Sequence, residues 1–529
     1  MLYLLLLSLL YILTFCITFS IITVIGVWYQ AYIFFTPYGI KYSWNIKPYI
    51  NKTKQYFTGR EHFVEYDYQQ RKKYPGERFI GRMDRIEPVI VLQDLVLIRK
   101  LTINNFHHFV DRKVYTDEFE SFMSRCLYFL EDKRWQDMRS TISPAFTTFR
   151  VKQMIPFIVY VAEDVVNLLI YRILNDSDNC LEIDARKVAS FMVNDVIANC
   201  VYGLPVSTIR NEKNEFYEMG NIIANDRNSY FHFDTPNIDE AQNYFVLLAV
   251  EKMNTRQFCS SSRPDMLQLL VQARQGKLKH DDRSSDDKKE FGFASAPELK
   301  SGKKRGQTVW SELDFAAQAV SFHADGYNTV VTALSFALHE LALQPQIQDR
   351  LAQEIKFHHQ RNRGNVTFQS IKNMKYMDMV VSETLRLWPP ITNLERVCVK
   401  DWLMGKPNPR APKEFMIKCG TRVWIPIWAI HRDPDFFPNP DIFDPERFSE
   451  QNIANINPMA YMPFGSGPRN CIGSKFALCE LKICLYYIIL RTEVYPSKNT
   501  CIPSKLCPKV CDIRLKDGHM LNFKARSII

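Results

Sequence analysis

The sequence predicts a mainly α protein with a minor β portion, organised as one large domain behind an N-terminal membrane-spanning helix. Three observations carry this. Long runs with apolar residues at three- and four-residue spacing, such as Ser311 to Gln344 and Ile472 to Leu490, have the helical period. Strand-like text comes only in short pieces ending in turn formers, such as PVIVLQD from Pro88. Met1 to Ile40 contains no Asp, Glu, Lys, Arg or His. With 529 residues and 46% hydrophobic content the chain can bury a sizeable core.

Within the charge-free segment, Leu2 to Val27 alone is long enough to cross a bilayer as a helix. The first charge is Lys41, followed by Lys47, Lys52, Lys54 and Arg60, so the excess of positive charge places the C-terminal side in the cytoplasm. The run is too long for a cleaved signal and lacks a basic start, which makes residues 1–40 an uncleaved anchor. Sequons at Asn51, Asn175 and Asn365 test this topology, because only a lumenal domain would be glycosylated on them. The net charge of +10 suits acidic partners or an anionic membrane surface. No basic arm or zinc-finger spacing points to nucleic acid. Thirteen cysteines, an odd number without paired spacing, argue for reduced thiols in a cytosol-facing domain. Cys501, Cys507 and Cys511 cluster without a nearby fourth ligand and read as packing.

From Tyr56 to Arg112 the text is mixed, ending in FHHFVDR. In DKRWQDMRSTISPAF, Trp135 and Arg139 stand four apart on one helix face, where an indole N–H and a guanidinium can grip the same carboxylate. Gln153 to Leu270 is amphipathic and helical, with an aromatic run at Tyr230, Phe231 and Phe233 placed at a membrane, over a channel or in the core. Residues 275–308, rich in Lys, Asp, Ser and Gly, read as a solvated linker.

Ser311 with Asp314 opens a helix that runs to Gln344 before Pro345, roughly 50 Å long at about 1.5 Å per residue. Its polar interruption, Asp325-Gly326-Tyr327-Asn328-Thr329, predicts a local distortion, with Thr329 bonding preceding carbonyls or a water. Glu383 and Arg386 lie three apart on a helix ended by Pro389 and Pro390. Near the C-terminal end, FGSGPRNCIG spans Phe464 to Gly473. Gly465 and Gly467 permit a tight backbone that approaches a flat ligand, and Pro468 stiffens it. Helical text follows Cys471 directly, so its sulfur sits at a helix N-terminus that favours thiolate. Such a thiolate beside Arg469 is suited to ligate haem iron.

The pattern F-x-x-G-x-R-x-C-x-G, with Ala477 and Glu480 behind it, resembles the haem-binding loop of the cytochrome P-450 family. The other segments resemble that family in order: W-x-x-x-R its C helix, the long helix its I helix, E-x-x-R its K helix, and HRDPDFFPNPDIFDPERF its meander. DVIANCVYGL and RPDMLQLL resemble the clan containing xenobiotic-metabolising members. The resemblance implies the cytochrome P-450 fold, with residues 41–529 as the haem-thiolate catalytic domain. It implies haem b with Cys471 as the iron ligand, and Phe464 and Gly473 in its loop, Phe464 shielding the sulfur. Trp135, Arg139, Arg396 and Arg469 align with haem-propionate partners. Arg447 joins Glu383 and Arg386 in a buried network that fixes the loop.

Thr329 aligns with the alcohol that helps deliver protons at the oxygen site. The acid beside it is replaced by Asn328, an amide that can only position water. Asp325 stands where the family has a small residue, one turn before Thr329, and can supply the missing carboxylate, bind a polar substrate group, or pair with His323. In fatty-acid omega-hydroxylases of the family a Glu at this position can esterify a haem methyl group, and Asp is one methylene shorter.

The implied activity is a monooxygenase acting on a small apolar substrate, a xenobiotic, fatty acid or sterol. Having no Rossmann glycine pattern, the chain takes NADPH electrons from a separate NADPH-cytochrome P-450 reductase, with cytochrome b5 as a further donor. Lys133, Arg134 and Lys152 offer a basic surface to an acidic donor. The location implied is the endoplasmic reticulum membrane, although only Pro37 and Pro48 stand where microsomal members carry a proline-rich hinge. Two other readings keep the haem: a reductase-independent isomerase or dehydratase acting on peroxides, and a non-catalytic haem-binding protein.

Overall fold

The computed structural model describes residues 2–43, 62–84, 86–113, 122–226, 237–258, 263–278, 293–294, 309–508, 510 and 512–526. The expectations for Asn51, for Tyr230, Phe231 and Phe233, for Cys511 and for most of the 275–308 linker fall outside these residues.

Helix α1 (Leu2–Phe35) extends beyond the span expected from Leu2 to Val27. One face of its last turns, Val27, Ala31 and Phe35, is buried, the last two completely. Phe35 fits over Gly81, whose missing side chain leaves room for the ring; a Cβ there would lie 2.5 Å from it. A short turn, Thr36–Tyr38, begins with Pro37 near its start and ends at Gly39 with φ +65°. The helix is long and apolar enough to cross a membrane, which suggests an anchor, and its last turns pack on the domain.

The principal helices that follow are α2 (Asp132–Ile142), α3 (Thr148–Leu174), α4 (Ala185–Ile197), α5 (Glu215–Asp226), α6 (Ile238–Phe258), α7 (Glu312–Leu343), α8 (Lys375–Leu387) and α9 (Ser474–Arg491). Helix α3 is also long and apolar enough to span a bilayer, but 44% of its most apolar window is buried in the protein, which marks it as a core helix. Helix α7 crosses the middle, packed against α4, α6, α8 and α9. Its start is the predicted capping box: the Asp314 N–H donates to Ser311 Oγ at 3.2 Å, and the Ser311 N–H donates back to Asp314 Oδ2 at 2.8 Å. Pro345 opens the next helix, as its missing N–H allows.

Among the described residues the β portion forms three small sheets. Strands β1 (Tyr42–Ser43), β2 (Phe79–Asp84), β3 (Glu87–Leu92), β5 (Leu394–Val397) and β8 (Arg422–Ile425) form a mixed sheet ordered β1-β2-β3-β8-β5. Strands β4 (Cys180–Asp184), β9 (Thr492–Pro496) and β10 (Met520–Ala525) form a second, and β6 (Trp402–Gly405) with β7 (Phe415–Ile417) a hairpin. The first sheet and the hairpin share an apolar core with the end of α1, including Ala31, Phe35, Phe79, Phe415 and Ile417. The larger core gathers the helices around α7.

Candidate haem-thiolate site

The loop from Phe464 to Gly473 is closed by backbone bonds. The Cys471 N–H donates to the Phe464 carbonyl at 2.9 Å, and the Asn470 N–H to that of Gly467 at 3.0 Å. Gly465 and Gly467 take left-handed φ values of +77° and +73°, as the motif requires. The close approach that glycine permits differs from the one expected. A Cβ on Gly467 would lie 1.8 Å from the Thr102 carbonyl oxygen, so this glycine seats the loop on another backbone segment and not against a ligand.

Helix α9 starts at Ser474 with Gly473 as its cap, so Cys471 stands two residues ahead of the cap instead of at it. Burial pushes the Cys471 thiol up, against the pull of the Gly473 N–H and Arg139. Burial is the larger influence, and a cation bound at the sulfur would add to the pull of the Gly473 N–H and Arg139. Cys471 nonetheless keeps accessible surface, on the side from which Asp325 of α7 acts on it.

Four guanidinium groups ring this loop. Arg139, on α2, donates to the Asn470 carbonyl and to Asn470 Oδ1, both at 2.9 Å, and its Nε has no partner. Arg396, on β5 and 1% exposed, gives one bond to the Glu395 carbonyl at 2.7 Å, while its Nε and Nη2 have no partner. Arg469 is placed differently from the expectation. Its donors go to the carbonyls of Val110, Leu127, Tyr128 and Leu130, and its guanidinium lies 4.3 Å over the Trp135 ring. Trp135 thus supports Arg469 from the same helix that carries Arg139 four residues on.

The fourth cation, Arg112, was missed in the sequence. It donates to the Arg469 carbonyl at 3.2 Å and lies 4.0 Å over the Tyr128 ring. Burial, followed by repulsion from Arg112, lowers Arg396 to about 9 and Arg469 to about 8, and burial lowers Arg139 to about 10. Among the described residues the nearest carboxylate to Arg469 is Asp111, at 3.6 Å. Buried cations with orphaned donors require anions. The two propionates of a haem whose iron meets Cys471 fit this donor set.

Across the cleft, α7 stays an unbroken α-helix through Asp325 to Thr329, so the predicted distortion is absent. Thr329 Oγ1 donates to the Asp325 carbonyl at 2.8 Å, the back-bond expected of it. Ser321 Oγ donates to Asp325 Oδ2 at 2.8 Å, and the Asp325 charge raises the Cys471 pKa, which puts this carboxylate on the thiol side of the helix. His323 points elsewhere, into an aromatic cage of Tyr202, Phe216, Phe245 and Tyr327, so it is not the partner of Asp325. Asn328 also turns away. Its Nδ2 donates to the Ala224 carbonyl of α5, and its Oδ1 accepts from Arg186 at 3.4 Å. Arg186 in turn binds Thr332 Oγ1 and Asp512 Oδ2, each at 3.1 Å.

The supporting network forms as expected and reaches further. Arg386 donates to both Glu383 oxygens, at 2.7 and 2.8 Å, with both side chains fully buried, and Arg447 Nε lies 3.4 Å from Glu383. Arg386 Nη1 also donates to the His431 carbonyl at 2.8 Å. The His431 ring accepts the Met462 N–H at Nε2, 3.0 Å away, which leaves Nδ1 to donate to the Arg386 carbonyl at 3.2 Å. Burial holds this ring neutral, with a pKa of about 3. His431 links the E-x-x-R helix to the cysteine loop, a role that the HRD text did not announce.

The comparisons agree with this geometry. A family model described as Cytochrome P450 matches residues 44–520. Cytochrome P450 9e2 of Blattella germanica is 34% identical over 97% of this chain and 98% of its own length. Probable cytochrome P450 9f2 of Drosophila melanogaster is 32% identical over 85% of this chain and 87% of its own. Cytochrome P450 6a2 of Drosophila melanogaster is 30% identical over 84% and 86%. With buried arginines around its cysteine loop, a long central helix and a match over nearly its whole length, the chain belongs to the cytochrome P450 family.

Proposed function

We propose that the chain inserts one oxygen atom of O2 into a small apolar substrate, the other leaving as water, with two electrons from NADPH supplied by a separate flavoprotein reductase. The observation that carries the reading is the surplus of buried guanidinium donors around an accessible Cys471. Arg139, Arg396 and Arg112 would hold the propionates, and Cys471 the iron. Haem bound in this way supplies the redox chemistry by which dioxygen is split. The chain's own residues orient it, exclude water and manage protons.

On the cleft side of α7, Asp325 is the titratable group, oriented by Ser321. Thr329 Oγ1 gives its proton to the Asp325 carbonyl and so presents lone pairs to the cleft. These two act together as the relay, with Asn328 bound to α5 and Arg186 and thus a structural tie. Lys133, Arg134 and Lys152 are exposed near Arg139 and suit an acidic reductase or cytochrome b5. The anchor and the basic residues after it favour a catalytic domain facing the cytoplasm at the endoplasmic reticulum. Asn175 and Asn365 are exposed, so their glycosylation in cells would reverse this orientation.

Full-length protein loaded with haem is expected to give a thiolate-type carbon monoxide difference spectrum that Cys471→Ser abolishes. A spectrum unchanged by that substitution overturns the assignment. Turnover that depends on NADPH and reductase supports the monooxygenase, whereas turnover of a lipid hydroperoxide without them supports the isomerase reading. Asp325→Ala is expected to lower the fraction of consumed oxygen that appears in product by roughly tenfold or more, within the usual range for losing a proton-transfer group. Unchanged coupling and turnover would leave Asp325 a substrate-binding group.

A further inference from the structure

We propose that His323 is a positioning residue: it is the donor of a hydrogen bond to Asn194 that Gly220 of α5 holds open, and closing that bond gives α5 a second seating on α7. Ligands pass through the second seating. The inference rests on reading the space between Cys471 and α7 as the haem cleft, and it adds a residue that controls passage into it. His323 on α7 and Asn194 on α4 are fully buried. Neither nitrogen of the His323 ring has a hydrogen-bond partner in the protein, and neither has Asn194 Oδ1. Burial keeps the ring neutral, at a pKa of about 3. A neutral imidazole still carries one N–H, so a buried donor and a buried acceptor stand unpaired in one joint.

Gly220 is what keeps them apart. A Cβ built on it would lie 2.8 Å from His323 Nε2 and 3.5 Å from Asn194 Oδ1, so both atoms converge on the bare face of this glycine. The other end of Asn194 fixes which atom points there. Its Nδ2 donates to Thr208 Oγ1 at 2.8 Å and to Asp195 Oδ1 at 3.2 Å, which leaves the oxygen toward α5. The remaining walls of the joint are the rings of Tyr202, Phe216, Phe245 and Tyr327, with centroids 4.3 to 6.2 Å from that of His323. The two hydroxyls among them are engaged elsewhere, Tyr202 with the Ala319 carbonyl and Tyr327 with Asn221.

Helix α5 is tied to α7 by Tyr327 Oη, which donates to Asn221 Oδ1 at 2.8 Å, and by Asn328 Nδ2, which donates to the Ala224 carbonyl. Lifting the Gly220 end of α5 about Ala224 gives up the first bond and lets the His323 N–H close on Asn194 Oδ1. One hydrogen bond replaces another, so the two seatings differ little in free energy, as a two-state element requires. Tyr327 and Asn328 share a turn of α7 with Asp325 and Thr329, so the seating of α5 is felt at the residues that face the cleft.

The test compares His323→Phe, His323→Gln and Gly220→Ala in the full-length haem protein. The ligand is 4-phenylimidazole, followed by stopped-flow absorbance, and hydrogen exchange of residues 215–226 is a readout that does not need haem. His323→Phe keeps a ring and removes the donor. Ligand association and dissociation are then expected to slow together by roughly tenfold, with Kd little changed, and exchange of α5 to slow by a similar factor. His323→Gln retains a donor and is expected to stay within about threefold of wild type. Gly220→Ala, whose methyl meets His323 Nε2, is expected to quicken all three. Unchanged rates and exchange in His323→Phe overturn the proposal. Equal slowing in the Phe and Gln variants assigns the effect to packing and overturns it too, as does slower exchange with unchanged ligand rates. Should His323→Phe not fold, Gly220→Ala decides, and unchanged exchange there overturns the proposal. Wild-type protein without a thiolate carbon monoxide spectrum defeats the haem reading and with it the role in ligand passage, while exchange of α5 still shows whether the His323–Asn194 bond exists.

Discussion

Glu383→Ala is expected to yield protein that retains no haem. The carboxylate is fully buried and is the acceptor for two Arg386 donors, for the Asp444 N–H at 2.8 Å and for Arg447. Removing it leaves Arg386 and Arg447 as cations without a carboxylate, a loss of about 3 to 5 kcal/mol for a broken buried pair. The damage would travel along identified bonds. Arg386 holds the His431 carbonyl, His431 Nε2 holds the Met462 N–H, and the Met462 carbonyl holds the Gly465 N–H at 3.0 Å, inside the cysteine loop. Haem absorbance per mole of protein is the readout. Glu383→Gln, which keeps the shape but not the charge, should lie between wild type and the alanine variant. A full haem complement in Glu383→Ala would separate this network from the loop.

The second large effect is expected at Gly467. A methyl group there meets the Thr102 carbonyl oxygen at 1.8 Å and its carbon at 2.7 Å, and backbone atoms cannot swing aside as a side chain can. Adding the left-handed φ to this overpacking gives a loss of about 2 to 5 kcal/mol for Gly467→Ala. Gly465 is the control. Its φ is equally positive, but a Cβ would meet the Leu394 side chain at 3.5 Å and the Asn470 Cα at 3.9 Å, both ordinary contacts. Gly465→Ala should therefore cost only the conformational part, about 1 to 2 kcal/mol. Thermal unfolding in detergent, followed by far-ultraviolet circular dichroism, distinguishes the two. Equal shifts would mean that the Thr102 contact is not what fixes this loop.

What the sequence disclosed and what it hid divide along chain distance. The capping box at Ser311, the stop at Pro345 and the left-handed glycines are local chemistry, readable from neighbouring residues. Cys471, Glu383 and Arg386 were legible because their spacing within a short segment is distinctive. Arg112 was not. It meets Arg469 from 357 positions away, and one arginine after a mixed segment carries no spacing signal. His431 was hidden for a different reason: its role is a tautomer fixed by partners on two other segments.

The distortion expected over Asp325 to Thr329 does not interrupt α7, because low propensity in one residue does not outweigh a helix buried along most of its length. Gly326 itself is loosely packed, since a Cβ there would have only Ile197 near it, at 4.0 Å. Asn328 and Asp325 are three apart on the same helix, yet they face different neighbours.

The crowding of arginines about Cys471 also sets what the cleft admits. A flat macrocycle with both acid arms capped as esters could still reach the sulfur, but it would leave the open donors of Arg396 and Arg139 without a counter-ion. The pocket thus screens its guest by electric charge as well as by shape, and does so before any metal–sulfur bond is made.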